Sequence, residues 1–155
     1  MKSSELAERI KGKTAVVGIG NIMRGDDGAG SKFIELLRNR NFKAHLFDCG
    51  TAPENHIFPI LATGCDTIIL VDAADFKSRA GDAKIFDLAE ISGVSFSTHS
   101  LSPILLIDLL KSGRDGLNIF FVSIQPKATA LGSGLSSEVK NGLDRLADIF
   151  ADLFG

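Results

Sequence analysis

The chain has 155 residues, 45% of them hydrophobic and 23% charged, and its 17 Lys and Arg against 19 Asp and Glu leave a formal net charge of -2. That balance suits an ordinary globular protein and lacks the basic stripe that a nucleic-acid partner would need. No apolar run reaches the ~18 residues of a membrane span, and the longest, ILLIDLL, is broken by Asp108.

Cys49 and Cys65 stand apart without a C-x-x-C spacing, and the N-terminus shows no signal-peptide pattern. Reduced thiols and a cytoplasmic location are therefore expected. Eleven Phe residues supply all the aromatic packing, since Trp and Tyr are absent. No repeat, low-complexity tract or linker divides residues 1–155, so a single domain is expected.

After a polar start, Thr14 to Gly20 reads as a short, buried, glycine-ended strand. A helix should begin near Gly28–Ser31, with Phe33, Ile34, Leu36 and Leu37 inward. Lys43–Asp48 predicts a second strand, and Glu54–Leu61 a short helix. Asp66–Asp72 is the most hydrophobic strand, as expected of a central strand covered on both faces. Asp82–Asp87 alternates more and suits an edge. Ser100 or Ser102 can cap a helix running to about Lys111, with Pro103 in its first turn. Leu117–Ile124 is another buried strand. In the last helix, Val139, Leu143, Leu146, Phe150 and Leu153 share one face.

Alternating strands and helices imply an α/β fold: a three-layer sandwich, with a mostly parallel twisted sheet of about five strands and helices on both faces. Ligands in such folds bind beyond the carboxyl ends of the strands. Those ends here carry Asp26 and Asp27, Asp48, and Asp72 with Asp75, while His99 precedes the third helix.

Gly18 to Gly30, GIGNIMRGDDGAG, looks at first like a phosphate cradle. It lacks the third glycine of G-x-G-x-x-G, however, and two aspartates would repel a phosphate. An N-cap role would explain one of the pair. It explains neither the other nor Asp72, whose burial behind an apolar strand demands a partner. Carboxylates with a neutral imidazole suit a borderline divalent ion such as Zn or Ni. From residue types alone, the cap and metal readings both stand.

Four motifs in register narrow the choice. G-x-G-N-x-x-x-x-D-D-G-x-G at Gly18–Gly30, Asp48-Cys-Gly-Thr-Ala-Pro-Glu54, Val71-Asp72-Ala73 and Thr98-His99 resemble the nickel-iron hydrogenase maturation endopeptidases. Pro53-Glu-Asn55 and Ile124-Gln-Pro126 look most like the branch serving formate-hydrogenlyase (hydrogenase 3-type) enzymes. The resemblance implies an endopeptidase that removes the C-terminal extension of a hydrogenase large-subunit precursor after nickel insertion. It carries the nickel ligands onto Asp27, Asp72 and His99, with Asp27 or Asp72 also catalytic, as base or through the metal. It further implies that the substrate supplies the nickel, so that the resting enzyme need not hold a metal tightly, and that the protein is a monomer. The glycines would let the backbone turn and let another chain approach.

Asp26, Asp48, Glu54 and Asp75 are expected to hold loops or orient ligands, with an N-cap role open for Asp26 and a solvated loop position for Asp75. His45 and His56 read as structural. The alternative from another class is a receiver-like phosphoacceptor domain with Lys127 as its lysine, although its acidic pair should follow the first strand directly. A serine hydrolase around His99 lacks a G-x-S-x-G elbow. Cys49 is a weak nucleophile candidate, because the neighbouring Asp48 would raise its pKa.

Overall fold

Helix-forming and strand-forming segments alternate in the computed structural model, which describes residues 1–96 and 101–155. The elements are α1 (Ser3–Arg9), β1 (Thr14–Gly18), α2 (Ala29–Asn39), β2 (His45–Asp48), α3 (Ile57–Ala62), β3 (Thr67–Asp75), β4 (Ala83–Phe86), β5 (Ser95–Phe96), α4 (Pro103–Gly113), β6 (Asn118–Ile124) and α5 (Ser137–Phe154). Short 3-10 turns at Gly25–Gly28 and Pro53–His56 precede α2 and α3.

The strands lie in the order β2-β1-β3-β6-β4. β1, β2, β3 and β6 run parallel, whereas β4 closes the β6 edge antiparallel. The two-residue β5 pairs antiparallel with the end of β3, so the sheet has six strands rather than about five. β3 is central and buried along eight of its nine residues, as its continuous apolar run requires.

Period-two alternation sends the strand residues to two separate cores. Ile69, Val71, Phe120 and Val122 meet α1, α2 and α5 on one face, where Phe33 and Phe150 pack edge to face at 5.1 Å. Ile68, Leu70, Ile119 and Phe121 meet α3 and α4 on the other. α1 was not legible in the polar N-terminus. A single buried residue, Leu6, anchors it, too few for a periodic signal. Ser102, not Ser100, caps α4, its Oγ accepting from Leu105 N at 3.2 Å.

The topology prepares a crevice. The chain leaves β1 through α2 to reach β2 on one side, while β3 lies on the other side of β1. Neighbouring strands whose connections depart in opposite directions leave a gap at their carboxyl ends. The gap lies between the loop after β1 and the end of β3, which are the segments carrying Asp27 and Asp72.

Candidate active site at the carboxyl edge of the sheet

The loop after β1 folds tightly onto the body of the protein. Ile19 N donates to Val71 O and Gly20 N to Gly50 O, both at 2.9 Å, and Asn21 N donates to Asp27 O at 3.0 Å. A Cβ on Gly18 would strike Gly30 O, and one on Gly30 would strike the carbonyls of Ile19 and Val71. These glycines serve the chain's own close packing of α2 on β1 and β3. The expectation that they make room for another chain is corrected on that point.

The two aspartates of this loop have different surroundings. Asp26 is fully buried and saturated: its carboxylate accepts from Ser136 N (2.7 Å), Lys127 N (2.8 Å), Ser136 Oγ (2.9 Å) and Ala128 N (3.0 Å). Asp26 N donates in turn to Ala128 O at 2.9 Å. Asp26 therefore bolts the first loop to the loop after β6, and it does not cap α2, whose N-cap Gly28 receives no side-chain bond. Ser136 also caps α5 through Val139 N at 3.3 Å.

Asp27 is 2% exposed, and neither carboxylate oxygen has a hydrogen-bond partner among the described residues. Burying a carboxylate without donors is costly, and a native structure that keeps one normally has a use for it. The 3-10 turn holding it packs on β3.

Asp72 is 1% exposed near the end of β3. Its register partner across the β3–β6 ladder is Ser123, so both project from the face that β3 and β6 turn to α3 and α4. Ser123 is fully buried, and its Oγ has no partner among the described residues. Sequence reasoning passed over Ser123. Its signal was a lone hydroxyl directly after the apolar run IFFV of β6, one strand from a buried acid.

The remaining expected residues spread around this edge. Asp48 is exposed, and its Oδ1 accepts from Gly50 N at 3.1 Å. Glu54 is half-buried in the turn before α3. Asp75 accepts from Lys77 N and Lys77 Nζ at 3.0 Å and from Gln125 Nε2 at 3.2 Å. Those bonds, the Lys77 backbone bond first, hold its pKa down to about 2. Gln125, which sequence reasoning used only as a family marker, also accepts from Phe76 N at 2.9 Å and Ser78 N at 3.2 Å, tying down the chain that leaves β3. His99 lies outside the described residues. His45 is exposed on β2, and Nδ1 of His56 lies 3.2 Å from Ala52 O, closing its own turn.

Among the described residues no three His, Cys, Asp or Glu side chains form a metal-ligand set. Cys49 is buried, and its thiol is pushed up to about 12 by burial first and by the Asp48 charge second, so it is inert as a nucleophile. The receiver-like alternative finds no support. Lys127 Nζ is held by Glu138 at 2.7 Å, and Asp26 is consumed by backbone donors.

Known proteins share this fold and part of this sequence. The family model for HycI hydrogenase maturation proteases matches residues 32–152. The hydrogenase 3 maturation protease of Escherichia coli K12 is 31% identical over 130 residues, covering 81% of each chain. Among solved structures, the NiFe hydrogenase maturation protease HycI from Thermococcus kodakarensis superposes with a TM-score of 0.79 at 29% identity, over 93% of both chains. The endopeptidase HycI from Escherichia coli gives 0.80 at 28% identity, over 92% of both. With fold, chain length and sequence all in agreement, the chain belongs to the hydrogenase maturation protease family.

Proposed function

We propose that this protein removes the C-terminal extension of a nickel-iron hydrogenase large-subunit precursor once nickel has been inserted, and that the precursor's own nickel completes the site. The observation that carries this reading is the buried Asp27 carboxylate, whose two oxygens find no donor among the described residues. Such a group suits an incoming cation that arrives only with the substrate. Asp72, rigid on the central strand, and His99 are the other ligands.

Carboxylate and imidazole ligands fit nickel, and three protein ligands leave positions for the substrate's own atoms. Binding through the nickel places the scissile peptide beside the carboxylates, which supplies the positioning part of catalysis. A carboxylate has about four lone-pair sites, so Asp72 can face the metal with one oxygen and a water with the other. It takes a proton from that water as the oxygen attacks the scissile carbonyl, and hands the same proton to the departing amide nitrogen as the C–N bond breaks, which returns the carboxylate. The glycine-tight loop keeps Asp27 from swinging away. Without nickel in the precursor, no donor among the described residues compensates the Asp27 charge and the peptide is not held.

The test is mass spectrometry of a large-subunit precursor incubated with the protein, nickel-loaded or nickel-free, beside the Asp27→Asn variant. A C-terminal peptide released only with nickel and with Asp27 intact is the expected result. Equal release from the nickel-free precursor would overturn the nickel requirement.

A further inference from the structure

A hydroxyl sealed in a protein interior without a partner is rare, and Ser123, level with Asp72, has none among the described residues. Its place in the sheet is the unusual part. The same face of β6 carries Ile119 and Phe121 in the core against α3 and α4, so a third apolar side chain could have continued the row. Parallel strands lie about 4.8 Å apart, so Ser123 and Asp72, paired in register on one face, are neighbouring side chains.

We propose that Ser123 is a positioning residue for Asp72: in the substrate-loaded site its hydroxyl donates to the Asp72 carboxylate and fixes which oxygen faces the nickel and which faces the water. This rests on the catalytic role given to Asp72 above. A carboxylate that binds metal is usually itself held by a hydrogen bond from a surrounding group, and losing that bond costs roughly 10- to 100-fold in affinity or activity. In the resting protein the hydroxyl and the Asp27 carboxylate both lack partners among the described residues. The site thus stores two groups that no described residue satisfies, and the substrate resolves them together.

The experiment compares Ser123→Ala, Ser123→Thr and Asp72→Asn in single-turnover cleavage of the nickel-loaded precursor, with thermal melting of each variant. Ser123→Ala is expected to lower the cleavage rate roughly 10- to 100-fold with KM unchanged. It should not lower the Tm, because the hydroxyl it removes makes no bond to the described residues of the resting protein. Ser123→Thr keeps the hydroxyl and should restore most of the rate. If Asp72→Asn is inactive while Ser123→Ala cuts at the wild-type rate, the positioning role is wrong and the protease reading stands. If Ser123→Ala is slow only in proportion to a lowered Tm, or Thr gives no rescue, the role is equally refuted. Full cleavage by Asp72→Asn would instead remove the reading of Asp72 and this inference with it.

Discussion

The changes Asp26→Asn and Asp27→Asn, at adjacent and equally buried positions, should have opposite consequences. At Asp26, three donors converge on Oδ2 and one on Oδ1. The amide oxygen introduced by Asp26→Asn can keep the three, but as neutral bonds each weaker by about 1 kcal/mol, and the new NH2 then confronts the Ser136 N–H at a further cost of about 1–3 kcal/mol. Allowing for relaxation, the loss is about 3–5 kcal/mol, a large share of the ~5–15 kcal/mol that holds a domain folded. For a chain of this size that lowers Tm by roughly 6–20 °C. At Asp27 the same change removes a charge that no described donor supports, so stability should stay within about 1 kcal/mol of wild type or rise. Calorimetric melting at neutral pH, paired with precursor cleavage at 25 °C, separates the two. Asp26→Asn should melt early yet still cut, and Asp27→Asn should melt normally and not cut. Equal falls in Tm for the two variants would refute the division of labour drawn from their hydrogen bonds.

Three other outcomes are expected. Gly30→Ala, whose methyl would meet the carbonyls of Ile19 and Val71, should cost more than about 3 kcal/mol in urea unfolding, far beyond a propensity effect. In an NMR titration Asp75 should titrate at about 2, and Lys77→Ala should move it only part of the way up, since the variant loses the Nζ bond and charge but keeps the larger bond from the residue 77 backbone N–H. Because this folded-state pKa is depressed, its stabilising contribution is present above about pH 4 and fades as pH falls towards 2. Cys49 should resist alkylation at pH 8 in the native protein, and Cys49→Ala should keep full cleavage. Its raised thiol pKa means the stability it lends is complete below about pH 9 and is lost as pH climbs towards 12.

Much of the fold was legible because one-face and two-face burial leave different patterns. Val139, Leu143, Leu146 and Phe150 announced α5, and the unbroken apolar run of β3 announced its central place. The antiparallel β5 was not legible, because two residues, Ser95 and Phe96, cannot show a period. At the site, the acids were visible as residues at strand ends, but their roles were not. Only the folded chain shows that Asp26 spends its oxygens on residues 127–136 whereas Asp27 spends none on the described residues, and that Ser123 lies level with Asp72. Contacts between segments so distant in sequence leave no local trace.

The bolt between Asp26 and residues 127–136 also sets a schedule. Its two halves are more than 100 positions apart, so the contact raises the contact order of this sheet edge above that of the helices around it, and such contacts form late. During synthesis at ~5–20 residues per second, the first loop waits for β6 and the start of α5 to leave the ribosome before it has anything to fasten to. A nascent chain still lacking β6 and everything after it would carry both aspartates, but with Asp26 unfastened from residues 127–136. The edge that carries both aspartates is thus fastened only once the chain has been made through Ser136.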